Sequence, residues 1–278
     1  MRPELCDRRI LGAVRCLDGV TGLPVANPLR VTAPGLTLTT GTRGLYVIHQ
    51  APGLPALQEI PTRFAEQPSV PPADRSWPVA VILTIFEPTG RYLPRQARIQ
   101  LPRGSQPQQA DSLFTPISIP LYPSPTAAVG EGWAVVRATV LSEGAGGPPR
   151  RLPWAWLRVM RDNNGAASAA PLSLAQADGR GEALIAVRAL PPTFEDAGRR
   201  RPDLPARVEV VFDSNLQDLP EVLTVDDPPV AVRTYLPDPD LLDGPAKHLR
   251  DGRSEPLPLV AGRATPSRLL VRLSQRPP

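Results

Sequence analysis

Proline narrows most what this chain can become. There are 38 among 278 residues, spread along the whole length, where an ordinary chain carries roughly 5%. Each removes a backbone donor and clashes with the preceding turn, so long helices are not expected. Apolar residues still make up 41%, which is enough for true cores and unlike a disordered polypeptide. What remains is extended structure joined by proline turns, at a length that suits two domains of ordinary size.

The strand-forming stretches recur. Thr40–Gln50, TGTRGLYVIHQ, and Ala177–Val187, ADGRGEALIAV, share one plan: polar turn, Arg, Gly, then alternating apolar residues. In both, glycine or aspartate reaches backbone angles that β-branched residues resist, so the chain turns sharply before the strand. FEPTGRYLP (Phe86–Pro94) and FDSNLQDLP (Phe212–Pro220) share Phe, an acidic residue, a turn segment and Leu-Pro, 126 residues apart. ILGAVRCLD (Ile10–Asp18) and WAVVRATVL (Trp133–Leu141) open the two halves as strands. Each Phe closes a β-rich run, Val79–Phe86 or Arg207–Phe212. Each Leu-Pro leads into a second alternating run, RQARIQLP or EVLTVDDPP, so both read as hairpins.

One sandwich plan used twice is the expectation: an all-β chain with two tandem β-sandwich domains, at 8–122 and 130–236. A proline-rich loop at 51–78 belongs to the first, and 123–129 is a linker with little regular hydrogen bonding. Residues 237–278 form a proline-rich extended tail with one late strand, Arg268, Leu269, Leu270, Val271, Arg272 and Leu273. That strand is the candidate partner-binding element, by addition to a partner's sheet. On this expectation the tail is dispensable for folding. After Gly44 and after Gly181 the strands are apolar on both faces: Leu45 and Val47 against Tyr46 and Ile48, and Ala183, Ile185 and Val187 against Leu184 and Ala186.

Gly12–Gly35, GAVRCLDGVTGLPVANPLRVTAPG, followed by TTGTRGLYVI, resembles the carboxypeptidase-regulatory-like or transthyretin-like sandwich family. Asp18, Thr21, Gly22, Pro24, Val31, Gly44 and Tyr46 stand at the places of that family's turn-strand-turn phrase. In the second half only Ala177–Val187 matches, and Ser142–Pro153 replaces the first turn. The resemblance implies an Ig-like, transthyretin-like fold in each half and is nearly silent on function. The two-module layout, FEPTGRYLP, the PLYPSP linker and WAVVRATV also look like accessory proteins of contractile phage-tail-like injection systems. That likeness implies a structural component at a baseplate or sheath periphery.

Residues able to do chemistry are sparse. The histidines are His49, inside a strand, and His248, in the tail; no nucleophile elbow, HExxH or phosphate-binding loop occurs. Cys6 and Cys16 lack metal spacing and read as reduced thiols. Asp238, Asp240 and Asp243 resemble half a calcium loop, but the flanking prolines and missing terminal glutamate favour solvated turns. Arg199–Arg201 lies near Glu195, Asp196 and Asp203 and reads as a solvated loop. The net charge of +4 comes from 31 basic residues of which only Lys247 is lysine, a compositional bias as much as a sign of a partner. No enzyme activity, cofactor, metal or nucleic-acid partner is expected.

The N-terminal segment has no apolar run of signal length, and the longest such run, Trp77–Phe86, is half a bilayer span, so a cytoplasmic protein with no membrane partner is expected. Partners would be other protein subunits, sheath, tube or baseplate. The alternative reading is a carbohydrate- or ligand-binding module. It rests on Trp154 and Trp156, which alternate in PWAWLRVM and would share one face of a strand; core filling is their other reading.

Overall fold

The computed structural model describes residues 10–51, 78–104, 107–143, 148–162, 170–190, 193–194, 200–201, 203–216, 236, 238–243 and 249–275. Regular structure there is all β apart from two 3-10 turns, Ser214–Leu216 and Pro239–Asp243. Among the described residues the proline argument against long helices holds. Two compact units emerge: residues 1–17, 23–88 and 94–120 form the first, and residues 18–22, 89–93 and 121–278 the second. Most of the 51–78 loop, Cys6, His248 and the expected strand at 221–229 lie outside the described residues.

In the first unit, β1 (Gly12–Asp18), β3 (Thr37–Thr40), β4 (Leu45–Gln50) and β7 (Ile117–Leu121) form one sheet in the order β3-β4-β1-β7. A second sheet, β2-β5-β6, is built from β2 (Arg30–Thr32), β5 (Val79–Phe86) and β6 (Arg95–Leu101). The expected hairpin is present, with Val79 opposite Leu101 and Ile85 opposite Arg95. Alternation decides what is buried: Val81, Leu83 and Ile85 of β5 and Ala97, Ile99 and Leu101 of β6 point inward. Arg95 occupies the same inward row at 1% exposure, and its Nη1 donates to Pro120 O at 2.7 Å. A buried guanidinium is tolerated only when hydrogen-bonded, and here it ties β6 to a carbonyl of β7. Cys16 is a free thiol at 0% exposure, pushed up to about 12 by burial and so protonated at neutral pH.

The second unit contains β8 (Ala134–Ser142), β9 (Arg150–Arg151), β10 (Trp156–Arg161), β11 (Ser173–Gln176), β12 (Glu182–Val187) and β15 (Asp203–Asp213). The ribbon β13 (Thr193–Phe194) and β14 (Arg200–Arg201) stands apart. From the C-terminal region come β16 (Leu249–Arg253), β17 (Leu257–Val260), β18 (Ala264–Val271) and β19 (Ser274–Gln275). One sheet is β12-β8-β18, with β9 also on β8; the other is β11-β10-β15-β16-β19, with β17 also on β15. The sheets face each other across a single core that takes Val136, Val140 and Ile185 from one and Leu157, Val210 and Phe212 from the other. As the alternation requires, Ala183, Ile185 and Val187 face this core, while Leu184 is buried on the opposite face with Ala127 and Val135.

The sequence echo has a hydrogen-bond counterpart. In the first unit Cys16 N donates to Gly44 O at 3.0 Å and Val25 N donates to Cys16 O at 3.0 Å. In the second unit Val140 N donates to Gly181 O at 2.8 Å and Leu152 N donates to Val140 O at 3.0 Å. Gly44 and Gly181 both have positive φ, +67° and +74°, and both tuck under the strand they follow in space. Cys16 therefore corresponds to Val140. Matching Ile10 with Trp133 pairs Cys16 with Thr139, one residue short, which would exchange the two faces of the strand. The paired phenylalanines shift too: Phe212 is in the core, whereas Ile85, not Phe86, holds the buried row of β5.

Two expectations are corrected. The described residues of 237–278 do not form an extended tail. β16 and β17 pair antiparallel with β15 on the side away from β10, as β6 pairs with β5 on the side away from β2. β18 then runs parallel to β8, from Ala264 opposite Val135 to Val271 opposite Ser142. Leu249, Leu259, Leu269 and Val271 are each at most 3% exposed. The segment completes the second unit because its alternating apolar residues fill rows that β12, β8, β10 and β15 leave open. The 123–129 linker is likewise well bonded: Ser124 N donates to Arg91 O at 2.9 Å, and Arg137 donates from Nη1 to Pro125 O and from Nη2 to Ala127 O.

Candidate functional site

Two surfaces carry the residues singled out in the sequence, and both belong to the second unit. The first is the outer face of the sheet containing β10. Trp156 opens that strand opposite Gln176 and Val211. Because inward positions alternate, Leu157 and Val159 enter the core while Trp156 and Arg158 face out. Facing out does not leave the indole exposed. Trp156 packs with Tyr122, Val211, Leu242 and Leu249 in a second apolar layer, and its Nε1 donates to the Tyr122 hydroxyl at 3.3 Å. Leu242 comes from the Pro239–Asp243 turn, where Asp240 N donates to Asp238 Oδ1 at 3.1 Å. Two of the three aspartates considered for calcium thus shape the turn that lays a leucine over the tryptophan.

Trp154 does not share this face. Its φ is +59°, so it sits in a left-handed turn before β10, with its N–H donating to Asp178 O at 3.0 Å. Both indoles are 5% exposed. The aromatic platform of the alternative reading is absent, and both tryptophans fill buried space, because one is turned out of the strand and the other is roofed by the chain's own leucine and tyrosine.

Next to this layer, the turn after β1 is held by Asp18. Its Oδ1 accepts from Val20 N at 2.9 Å and Thr21 N at 2.8 Å, and its Oδ2 accepts from the Tyr92 hydroxyl at 2.7 Å. Gly22, at φ +69°, completes the turn. Asp178 repeats the device before β12: its Oδ1 accepts from Arg180 N at 2.8 Å and Glu182 N at 2.9 Å. These are Asx turns, the physical basis of the two Asp-Gly phrases.

Burial raises the Asp178 carboxyl above its ordinary value of 3.8, against the two N–H donors that pull it down. A carboxyl with a raised folded-state pKa weakens the fold as pH climbs through that interval, because the unfolded chain gives up its proton first. Asp178→Asn keeps an acceptor oxygen and removes the charge. It is expected to be at least as stable as the parent at pH 7, with the difference vanishing below pH 3.8; denaturant melts at the two pH values measure this. Asp178→Ala loses both bonds and should cost about 1–2 kcal/mol at either pH.

The second surface is β18, which holds four of the six predicted partner residues, Arg268, Leu269, Leu270 and Val271; Arg272 and Leu273 follow its end. Leu269 and Val271 are buried, while Arg268 and Leu270 are exposed. One edge is already paired with β8. The strand is thus a constituent of its own sheet, and among the described residues only its outer edge lacks a partner strand. Arg272 Nε donates to Glu143 Oε2 at 3.0 Å, joining the ends of the two strands.

No family model, curated protein or solved structure matches this chain. Among the described residues no three His, Cys, Asp or Glu side chains gather as metal ligands, and no helix is long and apolar enough to cross a membrane. His49 lies half-buried within β4, without a hydrogen-bond partner at Nδ1. Sequence reasoning missed Arg95 and Arg137. Their signal was weak: Arg95 breaks an otherwise apolar inward row, but an arginine in a strand usually points out.

Proposed function

We propose that the chain is a non-enzymatic structural or adaptor component of a multi-subunit assembly, of the kind found in contractile phage-tail-like injection particles. On this reading its two units are tandem Ig-like, transthyretin-like sandwiches. One observation carries it: the same hydrogen-bonded turn-and-strand device is built twice, and its polar side chains are engaged with the backbone. Asp18 and Asp178 hold turns, while Arg95 and Arg137 hold carbonyls of β7 and of the segment before β8. Such a chain offers shape and surface to its neighbours. In the first unit the large exposed apolar side chains include Leu23 at 59%, Ile82 at 51% and Phe114 at 62%. Ile82 points outward from the middle of β5, opposite the exposed Arg98 of β6.

Partners would be sheath, tube or baseplate subunits, met on these apolar positions. The expected result is co-purification of the chain with an assembled particle. Ile82→Glu and Phe114→Glu should keep the circular dichroism spectrum of the parent and reduce incorporation at least tenfold. Full incorporation of both folded variants would remove these positions from the contact, and a chain never found with any particle would remove the reading itself.

A further inference from the structure

An edge strand with free N–H and C=O groups is a template for another chain, and proteins that stay unpaired block such edges. β18 ends the sheet β12-β8-β18 among the described residues. Its hydrogen-bond parity is fixed at both ends, since Val135 N donates to Arg263 O and Glu143 N donates to Val271 O. In a strand the N–H and C=O of one residue point the same way, and the direction alternates. The odd-numbered residues from 263 to 271 therefore address β8. Ala264, Pro266, Arg268 and Leu270 address the open edge, and all four are exposed.

Pro266 thus stands where its missing N–H costs no bond to β8 and denies one to any newcomer. Arg268, the next outward residue, adds a charge. The sheet β3-β4-β1-β7 has a comparable arrangement at its β7 edge. Gly19 N donates to Leu121 O, so Pro120 one residue earlier points away from β1, and its carbonyl is occupied by Arg95. Two edge strands each carry a proline at an outward-pointing position.

We infer that Pro266 is a gatekeeper that keeps the open edge of β18 from pairing with the same edge of a second copy of this chain. An antiparallel pairing that sets Arg268 opposite Leu270 of the other copy avoids arginine against arginine. Pro266 blocks it by removing a donor next to that pair and by filling the approach with its ring. This contact is separate from the apolar positions proposed to meet assembly partners.

The test uses the full-length chain in sedimentation velocity over a wide concentration range. Pro266→Thr restores the donor, and it should shift the mass from that of the parent toward a dimer of it or larger, with the shift growing with concentration. Leu270→Pro added to Pro266→Thr moves the block to the next-but-one outward position and should return the parent's mass. Should the threonine variant fold poorly, Pro266→Ala restores the same donor and should show the same shift. The inference is overturned if both substitutions sediment as the parent does at every concentration. It is equally overturned if Leu270→Pro leaves the new association intact, since the contact would then lie elsewhere, or if Leu270→Pro alone dissociates the parent, since the edge would then already be in use.

Discussion

Deleting residues 249–278 is expected to unfold the second unit. The deletion strips one edge of β15, the side away from β10, of its partners from Asp203 to Ala206 and from Glu209 to Asp213, and strips β8 of the whole of β18. It also empties the places of Leu249, Leu259, Leu269 and Val271, all essentially sealed from solvent. Each such side chain contributes about 1.5–3 kcal/mol by burial. Four of them together weigh as much as the roughly 5–15 kcal/mol by which an ordinary domain is stable. Hydrogen exchange should show the amides of β8, β10 and β15 losing protection, with those of β1, β4 and β5 retained. Near-ultraviolet circular dichroism should lose the signal of the packed Trp154 and Trp156. A shortened chain that kept native protection in β8 and β15 would return the C-terminal region to the role of a dispensable tail.

That outcome reverses what the sequence suggests for 237–278, and the reason is a matter of range. Turns and single strands are decided by neighbours a few residues away. Asp18 bonds Val20 and Thr21, Asp178 bonds Arg180 and Glu182, and Gly44 and Gly181 take the positive φ their turns need. Those features were legible, as was the β5–β6 hairpin, which needs only a short connection. Arg268, by contrast, lies beside Thr139, and Glu209 lies opposite Arg253. No local window contains both members of either pair. The proline-punctuated stretch LPLV, Leu257–Val260, reads as a tail because Pro258 lacks a donor, yet it pairs with β15 by setting Pro258 opposite Pro205.

The surface properties of the aromatic residues were hidden for a related reason. Alternation in PWAWLRVM places Trp154 and Trp156 on one face only if both are in the strand, and a left-handed residue at Trp154 breaks that premise. Leu242 over Trp156 is another long-range event. The exposed positions of β18 could be listed from sequence. Which of them address an open edge could not, because that depends on the parallel partner β8.

Replacing the two corresponding glycines by alanine should cost each unit more than the backbone angle alone explains. A non-glycine residue at φ near +70° costs about 1–2 kcal/mol. At Gly44 an added Cβ would also lie 3.0 Å from Cys16 O and 3.0 Å from Val25 O. Neither carbonyl belongs to a movable side chain, and Cys16 O is already held by Val25 N. At Gly181 the Cβ would meet Leu152 N at 3.1 Å and Val140 O at 3.3 Å, the corresponding pair of strands. Gly90 is the control: its φ is +73°, yet a Cβ there meets nothing within 4 Å. Gly44→Ala should therefore destabilise by about 3 kcal/mol or more, Gly181→Ala by slightly less, and Gly90→Ala by only about 1–2 kcal/mol. Denaturant unfolding gives the magnitudes. Hydrogen exchange gives the location, with protection lost first at Cys16 and Val25 for Gly44→Ala and at Val140 and Leu152 for Gly181→Ala. Equal costs at Gly44 and Gly90 would mean that the strand above the turn yields freely, and the close approach common to both units would then hold neither of them together.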